Sequence, residues 1–510
     1  MPLFAHVASM GLFGMRAFPV DVEADIASGL PGFDLVGLPD TAVRESRDRV
    51  RAALRNCGYD FPLSRITVNL APANIRKEGP VYDLPVLLAV LLASEQLALP
   101  VEGSAFLGEL SLDGNVRPCG GTLSMALCAA RSGVRRFFVP ENCAAECSVV
   151  EGIEIYPVST ARALIDHLKG RKFLRAVRHG DYKEAPVPPA PDFAEVKGQE
   201  SAKRALEIAA AGGHNLLLIG PPGAGKSMLA KRLPSILPDM TFEEQIEVTQ
   251  VHSVAGTLPP GAALIRHRPY RAPHHSISPA GLTGGGSIPR PGELSLAHHG
   301  VLFLDELPEF NRIAMEALRQ PLEDGTVTIS RAAGTLSYPC AVMLVAAMNP
   351  CPCGYYGHPT RKCICAPQAA ARYLGRVSGP LLDRLDLHVE VPPVEFEELN
   401  SAEQQEDSAG IRARVSGARA VQQARLAGTG IPCNARLTPA LLTEHCPQTE
   451  DARRTLRGAF ERLGLSARAY DRILKVARTV ADLDGCETLT QDHVFEAIQF
   501  RSLDRKYWSG

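Results

Sequence analysis

The stretch NLLLIGPPGAGKSMLAKRL, residues 215 to 233, constrains the fold more than any other part of the chain. Four apolar residues, Leu216 to Ile219, read as a buried strand. Gly220-Pro221-Pro222-Gly223-Ala224-Gly225-Lys226-Ser227 follows as a glycine-rich turn, and then a helix that Pro234 is expected to end. A strand before and a helix after are the setting that a phosphate-binding loop of the Walker A type needs. The glycines let backbone N–H groups turn inward around the β- and γ-phosphates, and Lys226 adds a point charge. Ser227 can ligate Mg²⁺, and the helix N-terminus adds its partial positive charge. Binding of ATP with Mg²⁺ in an α/β domain is therefore expected.

Two further strands supply what such a site lacks. GVLFLDELPEF places a buried strand, Val301 to Leu304, before Asp305-Glu306. Asp305 can hold Mg²⁺ through water, and Glu306 can polarise the attacking water as a general base. AVMLVAAMN ends on Asn349, which can hydrogen-bond the γ-phosphate or the water. Both strands bring their polar residues to the carboxyl end, where open α/β sheets bind ligands. An acidic turn after an apolar strand and a polar strand terminator are the plainer readings of the same residues.

At 510 residues the chain exceeds one core and divides into about three or four domains by length alone. Proline at 186, 188, 189 and 191 makes KEAPVPPAPD an extended spacer. We expect an N-terminal domain over 1–170, a linker over 171–191, a nucleotide-binding core over 192–395 and a helical domain over 396–510. The apolar run LPVLLAVLLA, ten residues, is about half of a membrane span and reads as a buried helix, so no membrane partner is expected. The N-terminus has no positive region before its apolar residues and Arg16 interrupts it, so a cytoplasmic location is expected.

Net charge is −2, which excludes a globally basic nucleic-acid binder, but its distribution is uneven. Val248–Gly292 and Thr326–Leu382 contain no Asp or Glu. They carry Arg266, Arg268, Arg271 and Arg290 in the first, and Arg331, Arg361, Lys362, Arg372 and Arg376 in the second. Removing acids suits a surface that faces phosphates. Packing of loop-rich, partly buried segments would produce the same pattern.

Thirteen cysteines, an odd number, argue against a disulfide framework. Four of them form two Cys-x-Cys pairs, Cys351/Cys353 and Cys363/Cys365, close behind Asn349. A loop with Gly354, Gly357 and Pro359 can return the second pair to the first, and four thiolates at one point select Zn²⁺. Arg361 and Lys362 are expected to favour the thiolates. A disulfide pair is the competing reading.

Several longer motifs go beyond the nucleotide site: RAPHHSISPAGLTGGG, PGELSLAHHGVLFLDELPEF, MNPCPCG, SGPLLDRLDLHVEVP and LSARAYDRILKVARTVADL. With these the chain resembles the magnesium-chelatase-like AAA+ ATPases of the ComM (YifB) family along nearly its whole length. The resemblance implies Asn349 as sensor 1, Arg384 as an arginine finger reaching a neighbour's ATP in a ring, a hexamer by expectation, and Arg468 as sensor 2. Asp383 and Asp386 could instead pair with Arg384, and Arg472 rivals Arg468. Gly325–Pro339 resembles the family's hairpin before sensor 1, with Arg331 at the tip as a DNA contact or a solvated turn residue. The N-terminal domain resembles the α+β domain shared by Lon protease and ribosomal protein S5, and the C-terminal domain a helical lid. Val81 and Ser124 stand where Lon has its nucleophile and base, so no Ser-Lys peptidase is expected.

Three functions follow for comparison. The first is a DNA-translocating motor, a hexameric branch-migration helicase of recombination or natural transformation, with recombination proteins as further partners. The second is the motor of a metal chelatase, whose partner site Asp-x-Ser-x-Ser is absent here. The third is an ATP-fuelled protease, which the missing dyad disfavours, with an ATP-dependent chaperone or protease regulator as its non-proteolytic form.

Overall fold

The structure is a computed structural model that describes residues 3–98, 100–181, 191–259, 261–286, 289–331, 334–358, 360–400, 405–463 and 465–508. Most of the proline-rich spacer falls outside these. The N-terminal body is built on a mixed sheet of seven strands, in the spatial order Gly32–Val36, Arg65–Ala71, Arg16–Ala27, Leu3–Phe13, Ser104–Phe106, Arg136–Pro140 and Glu154–Val158. Arg16–Ala27 alternates exposed and buried residues, so one face of the sheet is apolar. The helix Asp83–Ala93 lies against it with nearly every side chain buried, which is why its sequence shows no polar face. Asp83 is fully buried and Arg49 donates to it at 2.6 and 3.1 Å, while the Leu110 amide donates to the same carboxylate at 3.0 Å. Residues beyond 170 stay on this body: the Val177 amide donates to the Ile155 carbonyl at 2.8 Å.

The central body carries five parallel strands in the order Tyr270–Arg271, Val301–Leu304, Met343–Met348, Leu216–Ile219, Leu387–Glu390. Helices cover both faces, as an all-parallel sheet requires. The helix after the glycine-rich turn spans Lys226–Ile236 and does not stop at Pro234. Proline falls in the last turn, so its missing amide costs the helix only the bond to the Ala230 carbonyl, and Ser235 Oγ donates to the nearby Arg232 carbonyl at 2.7 Å.

Helices Ser408–Arg425, Pro439–His445, Glu450–Leu463, Ala467–Leu483 and Gln491–Gln499 form the C-terminal part. Ile473, Val476, Ala477 and Val480 face the core that this part shares with the central sheet, as their spacing predicts. His214, at the sheet's amino edge, lies 3.0 Å from Asp386 and 2.8 Å from Thr479 of the Ala467–Leu483 helix, all buried or nearly so. The N-terminal body meets the helix Phe242–Ala255: the Gly121 amide donates to the carbonyl and the hydroxyl of Ser253, and Gln250 donates to Ser124 Oγ at 3.2 Å.

Removing one member of a buried pair leaves an uncompensated charge. Arg49→Ala should therefore lower the stability of the N-terminal body by about 3–5 kcal/mol, read as an earlier thermal transition, with nucleotide binding at the central body unchanged.

Candidate functional site

Three parallel strands deliver polar residues to one edge. Lys226 follows Leu216–Ile219, Asp305 and Glu306 follow Val301–Leu304, and Asn349 follows Met343–Met348. Lys226 is buried, and its Nζ donates to the Gly220 and Pro221 carbonyls at 2.8 and 2.9 Å and to Asn349 Oδ1 at 3.1 Å. Burial pushes its ammonium below the ordinary lysine range, while Asp305 and Glu306 pull the other way. Ser227 Oγ donates to Asp305 Oδ2 at 2.6 Å, which joins a hydroxyl and a carboxylate as a hard-oxygen pair suited to Mg²⁺. Glu306 adopts a left-handed backbone, φ 54°, and its carboxylate lies 3.2 Å from His275 Nδ1. The turn Gly220–Gly225 and these five side chains can cradle a triphosphate and orient a water against it.

The arginines lie at the opposite edge. Arg384 precedes the strand Leu387–Glu390, and the Asn215 side chain, just before Leu216–Ile219, donates to the Arg384 carbonyl at 2.9 Å. The intervening strand of four residues is about 13 Å long, so Arg384 does not reach its own chain's nucleotide edge. The competing reading, a pairing of Arg384 with Asp383 or Asp386, is not found among the described residues. Arg384 pairs with Glu323 at 2.6 Å instead. Asp383 faces Arg468 at 3.8 Å and Arg472 at 3.6 Å, and Asp386 faces Arg472 at 3.5 Å and His214. Arg468 is therefore not beside its own Lys226 but on the arginine edge, largely exposed, with Arg472 more buried behind it.

The four thiols converge. Cys351, Cys353 and Cys363 Sγ are 3.4, 3.6 and 3.7 Å apart, and the Cys353 amide donates to Cys365 Sγ at 3.4 Å. Four sulfurs at 2.3 Å from a tetrahedral Zn²⁺ lie about 3.8 Å apart, so the donor set fits that ion. None of the thirteen cysteines forms a disulfide. Burial opposes ionisation of Cys353, but hydrogen bonds from the Tyr355 and Ile364 backbone outweigh it and bring the thiol down to about 6. The Arg361 guanidinium stacks on Tyr355 at 5.2 Å and donates to its hydroxyl. Gly354, φ 81°, sits against Pro222, where any side chain would collide, so the thiol loop packs directly on the phosphate-binding turn. No spacing rule signals that contact.

A second cluster, Glu247, His298 and His299, has metal-like composition. The Ala341 amide donates to His298 Nδ1 at 3.0 Å, so the ring proton sits on Nε2, facing Glu247 at 3.1 Å. A metal needs that lone pair, and this cluster holds a proton instead.

The acid-free segments do not form one basic face. Arg268 pairs with Glu244, Arg271 with Glu293 at 2.6 Å and Arg376 with Glu309 at 2.9 Å, all acids just outside or beyond the segments. Arg290, Lys362 and Arg372 remain exposed. Thr326–Arg331 and Gly334–Pro339 pair antiparallel as the expected hairpin, Arg331 opposite Gly334. The Arg331 side chain lies outside the described residues. Glu293, Glu323 and His275 are the contributors that sequence reasoning missed, each a partner distant in the chain.

Among the described residues no helix is long and apolar enough to cross a membrane. Family models described as subunit ChlI of Mg-chelatase, as magnesium chelatase subunit ChlI and as its C-terminal region match residues 22–143, 192–399 and 405–501. The chain is 44% identical over 506 residues to the uncharacterized protein YifB of Salmonella typhimurium, covering 98% of this chain and 97% of that one. It is 44% identical over 511 residues to competence protein ComM of Haemophilus influenzae, covering 98% of each. A shorter similarity, 29% over 153 residues, covers 28% of this chain and 26% of Lon protease 2 of Bacillus subtilis.

Burial lowers the His298 and His252 imidazoles below their ordinary range, so the folded chain holds both neutral. An unfolded imidazole titrates near 6.5, so below about that pH the unfolded chain binds more protons. Stability from both groups is present above pH ~6.5 and is lost as pH falls. Melting temperature should drop between neutral pH and about 5.5, and His298→Gln, which keeps both hydrogen bonds without titrating, should flatten that drop.

Proposed function

The chain belongs to the ComM and YifB family of magnesium-chelatase-like AAA+ ATPases, and from that premise we propose that it is an ATP-driven motor translocating on DNA. In this reading it is a hexameric branch-migration helicase that serves recombination and the uptake of foreign DNA, alongside recombination proteins. The observation that carries it is the separation of the arginines from the nucleotide edge by the length of the sheet. Arg384 and Arg468 have work to do only at a neighbour's nucleotide, and closing that arrangement on itself makes a ring. The competence protein at 44% identity over the full length supports DNA as the substrate.

Lys226 and the backbone amides of Gly220–Gly225 bind the phosphates, and Glu306, once free of His275, takes the proton of the attacking water. Ser227 and Asp305 would hold Mg²⁺, which would supply positive charge against the phosphates. Asn349, already 3.1 Å from Lys226 Nζ, orients the water. The neighbour's Arg384 stabilises charge as the phosphoryl group leaves, and Arg468 holds the same nucleotide from the helical domain. The hairpin carries Arg331 to the DNA backbone. Cys351, Cys353, Cys363 and Cys365 hold zinc, which fixes the loop seated on Pro222.

A chelatase motor would share the ATP chemistry but leaves the DNA-competence relative unexplained. A protease is disfavoured by Ser124, which offers no amine base and whose hydroxyl accepts from Gln250.

DNA should stimulate ATP turnover of the purified chain, with affinity falling steeply with salt, a slope of about −0.7 to −0.9 per phosphate contacted. Turnover indifferent to DNA would remove the helicase reading. Glu306→Gln should still bind ATP while turnover falls about 10²–10⁴-fold, whereas Lys226→Ala should lose nucleotide binding; full turnover in Glu306→Gln would remove the base assignment. Elemental analysis should find about one zinc per chain, lost in Cys363→Ser with Cys365→Ser.

A further inference from the structure

The three guanidinium nitrogens of Arg384 are all engaged within its own chain. Nε donates to the Arg319 carbonyl at 2.8 Å, Nη1 to the Pro380 carbonyl at 2.6 Å, and Nη2 pairs with Glu323 Oε1 at 2.6 Å. Among the described residues Glu323 is its one charged partner, with a side chain 62% exposed against 13% for Arg384. The guanidinium is thus folded back, and the carboxylate that holds it faces solvent.

Arg319 and Glu323 belong to one short helix, Arg319–Asp324. Gly325 caps that helix, and the hairpin strand Thr326–Arg331 begins at the next residue. From the C-terminal part, Arg436 donates to the Leu322 and Glu323 carbonyls at 2.8 and 2.9 Å. The same helix therefore touches the arginine, the hairpin and the helical domain. Beside it lies a cavity of about 270 Å³ lined by Asn215, Glu323, Arg384, Arg436, Arg472 and Lys475, with Asp386 as its other acid. Four cations against two acids leave an excess of positive charge, which an incoming phosphate would satisfy.

We propose that Glu323 is a positioning residue that holds Arg384 retracted, and that movement of the hairpin, transmitted through Arg319–Asp324, releases it toward the neighbouring chain's nucleotide. The inference rests on Arg384 acting in trans. Two anions, Glu323 and a nucleotide phosphate oxygen, compete for one guanidinium edge. A pair with an exposed carboxylate is weak enough to exchange at thermal energies, so the clamp is reversible. A displacement of the hairpin carries Gly325 and the helix with it, withdrawing the Arg319 carbonyl and the Glu323 carboxylate from Arg384 together. Substrate at the hairpin and hydrolysis at the next chain are in this way joined by a single helix of six residues.

The test compares ATP turnover of the full chain, with and without a single-stranded oligonucleotide, in Glu323→Gln, Glu323→Asp and Arg384→Ala. Glu323→Gln should raise DNA-free turnover several-fold, toward the DNA-saturated rate of the unsubstituted protein, and so shrink the ratio of the two rates at unchanged melting temperature. Glu323→Asp, which keeps the charge, should restore part of that ratio. A Glu323→Gln protein with the original rates, while Arg384→Ala is inactive, would overturn the clamp and leave the finger standing. Full turnover in Arg384→Ala would overturn the finger, and the clamp with it.

Discussion

A parallel sheet has two unlike edges, and almost everything about this chain follows from which residues it sends to each. All five central strands run the same way, so their carboxyl ends gather Lys226, Asp305, Glu306 and Asn349 within hydrogen-bonding reach of one another or of their immediate partners. Their amino ends gather Asn215, Arg384 and Asp386. No rearrangement of loops brings the second set to the first, because pairing between the strands fixes their separation. In the proposed ring a single chain therefore holds half of one site and the complementary half of another.

The two edges are maintained by different means. At the carboxyl edge the holding groups are short side chains on strand ends, and the phosphate-binding turn is buttressed by the thiol loop through Gly354 and Pro222. At the amino edge the contacts are long arginines shared among acids: Arg472 with Asp383 and Asp386, and Arg384 with Glu323. The buried contact of His214 with Asp386 and Thr479 fastens that edge to the Ala467–Leu483 helix. Rigid geometry serves the groups that must meet a nucleotide in fixed register. Long, exchangeable pairs suit groups that, in the proposed ring, reach across a boundary.

What could be read in the sequence was local. Leu216–Ile219 and Val301–Leu304 are uninterrupted apolar runs before a charged or glycine-rich turn, and both are strands with the bounds their residues suggest. Ile473, Val476, Ala477 and Val480 recur at helical spacing and face the core. The thiols were legible because two pairs in one short loop can only meet each other. What escaped was non-local. Tyr270–Arg271 is a two-residue edge strand with no periodicity to detect. Arg268 and Arg271 stand in a segment without acids, yet both find acids across the fold, so a locally basic sequence does not become a basic surface. The partner of Arg384, sixty-one residues earlier, carries no signal at all because any exposed acid on that helix would look the same.

The seam between the N-terminal body and the Phe242–Ala255 helix combines main-chain bonds with apolar packing, Ile246 of that helix lying against the core of Leu123 and Ala126. Ser253 receives the Gly121 amide on both its carbonyl and its hydroxyl, and the space beside Gly121 is filled by Leu12 and Val254. A contact that joins main-chain bonds to close packing yields little, so the parts it joins turn together. The N-terminal body is thus keyed to the Phe242–Ala255 helix as a crank is keyed to a shaft. A turn of a few degrees at that root becomes a sweep that grows with distance along the seven-stranded sheet.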